Sequence, residues 1–333
     1  MNWTDFIAQQ GAKNHNEDFG DLAAELQAAR TGTIVAPLAD LGLIRASGED
    51  TAAFLHNLMT NDINHLATNG ARHAGLCTAK GRMIASFLIW REGADYLLML
   101  SADILPATLK KLSMYVLRSK VKLTDVSTDY ALIGLAGPDA ATLANAPAEP
   151  MQTSSDVGGT AIRLDAQRAL LAIPLEEAPA AWSQLVEKAK PTGLAAWRLT
   201  EIAAGIPRIV SATVEAFVPQ MVNYEVPAVG GVSFQKGCYP GQEIVARTQY
   251  LGKIKRRMYR AKLAEYAAPG TDVFTPEAGE QHCGAIVLCT PAPEGGFEAL
   301  VVVQSSGAEA NQVHVGAPTG QHAEILSLPY VVE

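Results

Sequence analysis

At 333 residues, 48% hydrophobic and 18% charged, the chain exceeds one ordinary domain and has the composition of a globular protein with a sizeable core. Its net charge of −8 excludes a general nucleic-acid or membrane coat, so any such contact has to come from a local patch. No apolar run reaches the ~18 residues of a membrane span, and four scattered cysteines without a CxxC pair support neither a disulfide framework nor a zinc knuckle.

The first twenty residues lack the basic and apolar regions of a signal peptide, so the expected location is the cytoplasm, with no membrane partner. In chain order, LIRASGEDTAAFL (43–55) reads as an apolar strand, a Ser-Gly turn and an amphipathic helix start. Strand-like runs follow around 72–78, 83–90 and 95–100. A helix comes next, with Leu105, Leu109, Leu112 and Val116 at three- and four-residue spacing. LIGLAGPDAATLA (132–144) then repeats the opening plan, with Gly48/Asp50/Ala52 echoed by Gly137/Asp139/Ala141. After it come strands at 160–164 and 168–174, a helix around 178–189, and a helix at 194–204 ended by Gly205-Ile206-Pro207.

Strand, helix, strand pair, helix, strand is the ferredoxin-like plan. Beyond Arg256 the texture changes to short strands between Gly/Pro-rich turns, which suggests a small antiparallel barrel or sandwich. The expected fold is therefore α+β: ferredoxin-like units at 1–125 and 126–245 and a β-barrel at 246–333. The histidines show no metal-binding spacing, and there is no GxSxG, Walker or GxGxxG match.

One stretch stands apart: KGCYPGQEIVARTQYLGKIKRR (236–257). A free cysteine is most often a small buried hydrophobe. Cys238, however, lies between Gly237 and Gly241, which permit close backbone approach, and just ahead of a helix start at Gln242–Arg247. With Lys236 two residues away, a thiolate there would be stabilised, which points to a reactive or ligating thiol. Cys283 and Cys289 flank GAIVL at even spacing and read as core, and Cys77 has no special surroundings. From Arg247 to Lys262 run seven cations without an acid: Arg247, Lys253, Lys255, Arg256, Arg257, Arg260 and Lys262. A charge run is ordinarily a solvated face; beside Cys238 it could also meet a carboxylate, a polyglutamate tail or an RNA phosphate. Trp197 reads either as core or as a ring that stacks on a heteroaromatic ligand.

The region 217–257, with Lys236, Gly237, Cys238, Tyr239, Gly241, Gln242 and Glu243 as its core, resembles the signature of the YgfZ family, folate-binding proteins related to the glycine cleavage T-protein. Weaker agreement extends over Thr60-Asn61-Asp62, Ala79-Lys80-Gly81-Arg82, Trp197 and Leu328-Pro329-Tyr330. The resemblance implies two ferredoxin-like units and a barrel around a tetrahydrofolate site. Trp197, Asn61, Arg82, Tyr239, Gln242 and Arg247 would form that site, while Cys238, Lys236 and Glu243 would carry the chemistry. It also implies a role in iron–sulfur cluster assembly or repair and, through client proteins, in tRNA modification, with Cys238 as nucleophile or transient cluster ligand and tRNA as an indirect partner. Two other readings stay open: a folate-dependent aminomethyltransferase, and a non-catalytic adaptor that binds tRNA or protein. Against the first, the T-protein aspartate pair reads Ala85-Ser86 here, and a second acid reads Ala203.

Overall fold

The repeated segments set the frame. A computed structural model, which describes residues 2–156, 158–251 and 254–332, divides into two compact units: 1–54 with 64–72 and 87–200, and 55–63 with 73–86 and 201–333. The first unit carries both copies of the repeat. In one sheet the strand order is Ala71–Cys77, Met83–Glu92, Asp95–Ser101, Leu41–Ser47, Lys122–Asp125. Leaving aside the edge strand Ala71–Cys77, this is the ferredoxin-like arrangement, in which the first strand lies between the third and the fourth. Met83–Glu92 is buried on both faces through Trp90, which explains why its sequence is apolar there but for Ser86.

The second sheet has the order Lys190–Pro191, Ile34–Pro37, Tyr130–Ala136, Arg168–Pro174, Gly159–Arg163, Thr153–Asp156. The place beside Tyr130–Ala136, which a simple duplication gives to the last strand of the copy, is taken by Ile34–Pro37 from the beginning of the chain. The segment after the copy's second helix forms only the two-residue strand Lys190–Pro191, parallel to Ile34–Pro37. The helix expected to reach 189 ends at Val186. Sequence pattern did not reveal Ile34–Pro37, because four residues flanked by Gly32 and Pro37 are too short to show a period.

The glycines of the repeat explain the match between copies. Gly48 and Gly137 both have φ +120°. A Cβ on Gly48 would overlap the Lys120 carbonyl, and one on Gly137 the Gly32 carbonyl, with the carbonyl carbon 2.9 Å away in each case. The acid that follows closes the same corner: Asp50 accepts from the Lys120 amide at 2.7 Å, and Asp139 accepts from the Thr33 hydroxyl at 3.3 Å. Residues 32–33 thus do for the second copy what residue 120 does for the first.

Leu43, Leu88, Trp90 and Leu97 of one sheet share a core with Ile34, Leu132, Leu170 and Trp197. In the second unit, residues from Arg256 onward form a seven-stranded antiparallel, barrel-like sheet. Its centre is Gly284–Pro291, Phe297–Gln304 and Arg256–Leu263. Cys283 and Cys289 both lie in its core, as their even spacing suggested. No described helix is long and apolar enough to cross a membrane.

Candidate functional site

In the second unit, the Cys238 loop is built from the inside outward. Thr60, fully buried, donates from its hydroxyl to the Gly231 carbonyl at 2.6 Å and accepts from the Gly75 amide at 2.7 Å. Asn61 donates to the carbonyls of His73 at 2.7 Å and Gly230 at 2.6 Å, and accepts from the Asp62 amide. The Thr-Asn pair therefore fixes the chain just ahead of the motif. Three side chains of the 217–225 segment tie down what comes after it. Gln220 donates to the Val245 carbonyl, Asn223 donates to the Met258 carbonyl, and Glu225 pairs with Arg257.

The turn Thr78–Arg82 forms the wall of the loop. Thr78 Oγ1 accepts from the amides of Lys80 and Arg82, and Arg82 Nη1 donates to the Ala216 carbonyl at 2.5 Å. Gly241, at φ +82°, lies against this turn: a Cβ there would overlap the Thr78 carbonyl oxygen and sit 2.7 Å from both N and Cα of Gly81. Gly237 differs. Its nearest neighbour would be His56 Nε2 at 3.8 Å, so close approach is required at only one of the two glycines.

Lys236 is the buried charge of the loop, 8% exposed. Its ammonium donates to the carbonyls of His56 and Met59, the latter at 2.7 Å, and so caps the end of helix Thr51–Leu58. It lies 4.7 Å from the centre of the Tyr239 ring. Burial pulls its pKa down to about 8, against the opposing charges of Asp62 and Cys238. Tyr239 is buried, and desolvation raises its pKa, followed by the Cys77 charge. Asp62 is in turn paired with His56, Oδ1 to Nδ1 at 3.0 Å. Sequence reasoning did not reach His56, whose only signal is its position four residues before the Thr-Asn-Asp segment.

Above this floor, Cys238 is exposed, whereas Cys77, Cys283 and Cys289 are buried. Burial pushes the Cys77 thiol up to about 12 and the Cys289 thiol up to about 11, so neither is poised to ionise at neutral pH. The expected helix start is real: Gln242–Leu251 is an α-helix with the exposed Glu243 in its first turn, where an acid suits the helix dipole. Arg247 is exposed on the same helix and Gln242 half-buried.

The basic run needs correcting. Arg257 is buried, pairs with Glu225 and donates to the Gln220 carbonyl at 3.0 Å, because it closes the barrel strand onto the 220–225 segment. Arg260 pairs with Glu298 at 3.2 Å. Lys253 lies outside the described residues. Arg247 and Lys255 remain exposed, and Arg256 is half-buried.

Trp197 belongs to the first unit. It is 2% exposed on helix Leu194–Ala204, and its ring lies so close to Gly134 that a Cβ there would stand 2.5 Å from Cζ3. The Arg168 guanidinium lies 5.9 Å from the ring centre. Its indole N–H is buried without a hydrogen-bond partner. A donor in that state can meet an acceptor brought by a ligand, a property that the buried indoles of Trp3 and Trp90 share. At the positions of the T-protein acids, Ala85 is fully buried and Ser86 Oγ accepts from the Ile209 amide at 2.9 Å. Among the described residues, no group of three His, Cys, Asp or Glu side chains is placed to hold a metal ion.

Comparison with known proteins gives consistent results. The GCVT N-terminal domain family matches residues 4–158. The tRNA-modifying protein YgfZ of Photobacterium profundum is 32% identical over 306 residues, covering 89% of this chain and 91% of the relative. That of Cronobacter sakazakii is 30% identical, covering 92% and 95%. Among solved structures, the glycine cleavage system aminomethyltransferase T of Bartonella henselae superposes with a TM-score of 0.68 at 18% identity, covering 93% of this chain and 89% of that one, and so shows the same fold. On the strength of these relatives, matched over nearly their whole length, the chain belongs to the YgfZ family.

Proposed function

We propose that this protein binds tetrahydrofolate or a derivative and uses the Cys238 thiol to support iron–sulfur cluster assembly or repair, and through it tRNA modification. The observation that carries this reading is the contrast among the cysteines: three are sealed in cores, and one is held open on a loop clamped by Lys236 and Gly241. The relatives named tRNA-modifying support the biological end of the reading. Trp197 would hold the folate through its unpaired indole N–H. The side chains of Asn61 and Arg82 are committed to backbone carbonyls, so neither is assigned a contact with the ligand. When bound, a reduced folate supplies one-carbon chemistry.

The chain's own contribution is the thiol and its setting. The Lys236 ammonium, fixed by two carbonyls, sets a positive charge near Cys238. A cluster held through Cys238 would draw its other ligands from a second molecule, since no group of three suitable side chains is gathered among the described residues. Aminomethyl transfer is disfavoured because Ala85 and Ser86 offer no carboxylate to handle a proton at the folate.

Two measurements test the reading separately. Tetrahydrofolate should perturb the tryptophan fluorescence of the native protein and bind at least tenfold more weakly to Trp197→Phe, which keeps a ring but loses the N–H. If the variant binds equally well, the folate role of Trp197 is wrong. In cells lacking the protein, Cys238→Ala should fail to restore an iron–sulfur enzyme that thiolates tRNA. Restoration equal to wild type removes the thiol from the mechanism.

A further inference from the structure

With Arg257 and Arg260 taken up in ion pairs, the 247–262 run keeps only Arg247 and Lys255 as exposed cations among its described residues, and a second basic segment exposes more. It lies at 105–122, in the first unit. Lys110, Lys111, Arg118, Lys120 and Lys122 occur there without one acidic residue between them. Leu105, Thr108 and Leu112 bury one face of helix Leu105–Val116. The opposite face presents Lys110 and Met114, Tyr115 is exposed at the border of the buried face, and the turn beyond presents Leu117 and Arg118. Met114 is 68% exposed, Tyr115 41% and Leu117 89%. Leu117 also holds φ +42°, a backbone conformation that a bulky residue rarely adopts, and this turns its side chain outward at the end of the helix. Among the described residues only Lys120 is offset, by Glu49 at 2.8 Å; Asp50 is engaged by the Lys120 amide.

An exposed apolar cluster ringed by cations is a contact surface. Its composition selects the partner. Protein interfaces are depleted in lysine, whereas four of these five cations are lysines, the residue suited to phosphate as a point charge. The apolar element is an exposed aromatic ring with two exposed aliphatic side chains close in sequence, and unstacked bases pack on such a ring. We infer that the exposed face of helix Leu105–Val116, with the turn that follows it, docks a single-stranded loop of RNA, with Lys110, Lys111, Arg118 and Lys122 on phosphates and Tyr115, Met114 and Leu117 under bases. The inference is independent of the folate and thiol readings, and RNA binding can fail while both of those hold.

The test is fluorescence anisotropy of labelled, unfractionated tRNA titrated with the full chain. Four phosphate contacts on a single strand predict that affinity falls about 50-fold between 50 and 200 mM KCl. The double variant Lys110→Glu/Lys111→Glu should bind at least tenfold more weakly at 50 mM and show a shallower salt dependence. Tyr115→Ala should bind about tenfold more weakly with the salt dependence unchanged. Lys188→Glu, an exposed change of charge elsewhere in the same unit, should bind as wild type does. The inference is overturned if tRNA does not bind at 50 mM KCl, if Lys188→Glu weakens binding as much as the double variant, or if anionic phosphatidylserine vesicles take up the chain while tRNA leaves it unaffected. Circular dichroism of each variant confirms that a loss of binding is not a loss of fold.

Discussion

Lys236 shows how one side chain serves both the fold and the site. Its nitrogen donates to two carbonyls at the end of helix Thr51–Leu58, and its charge lies close enough to Cys238 to interact with it. Burial costs it protonation: the folded state releases the proton near pH 8, while the unfolded chain keeps it to about 10.5. Between those values the unfolded state binds more protons, so stability rises with pH across that window, and the neutral amine still donates to the carbonyls. Lys236→Met should therefore lower stability by ~1–3 kcal/mol at pH 7 through the loss of both hydrogen bonds, with the deficit widening towards pH 9.5. Urea midpoints of both proteins at pH 7, 8 and 9.5 test this; a deficit that shrinks as pH rises contradicts the assignment. The sequence pointed to Lys236 as a neighbour of Cys238. It did not reveal the helix carbonyls, because they lie about 180 residues earlier and a backbone acceptor has no signature in residue type.

At the scale of elements, the motif is a clamp between a loop and a turn. Gly241 and the Thr78–Arg82 turn are in contact through backbone alone, and this contact sets where helix Gln242–Leu251 begins. Alanine at 241 has to adopt φ +82° and displace the Thr78 carbonyl, so Gly241→Ala should cost roughly 3 kcal/mol or more. Gly237→Ala meets only His56 Nε2, at an ordinary van der Waals distance of 3.8 Å, and should stay within about 0.5 kcal/mol. Chemical denaturation of the two variants separates them, and equal costs would mean that the clamp is not where the geometry puts it. The two glycines look alike in sequence; only the packed turn distinguishes them. The basic run misled for a related reason: charge spacing along a strand does not show that Glu225 and Glu298 face it from elsewhere in the chain. The elements with strong periodicity were legible, including the helices at Leu105–Val116 and Leu194–Ala204 and the long barrel strands. The short strands Asp272–Phe274 and His314–Val315 were not, since two or three residues carry no period.

At the scale of the molecule, the repeat was readable because its corners need glycine, and the exchanged strand was not, because nothing local announces that Ile34–Pro37 will stand beside a strand almost a hundred residues away. The exchange has an energetic consequence. If Ile34–Pro37 and the residues before it pack into the second copy as tightly as 120–125 pack into the first, the two corner glycines should be equally intolerant of a side chain. Each has φ +120°, and each would drive a Cβ into a carbonyl whose strand is held by a full ladder, Lys122–Asp125 against Leu41–Ser47 in one copy and Ile34–Pro37 against Tyr130–Ala136 in the other. Gly48→Ala and Gly137→Ala should then destabilise by similar amounts, each about 3 kcal/mol or more, and the two values should agree within about 1 kcal/mol. Guanidinium unfolding followed by far-UV circular dichroism supplies both numbers. A much smaller cost at Gly137 would show that the strand from the start of the chain yields under pressure, and that the second copy is completed more loosely than the first.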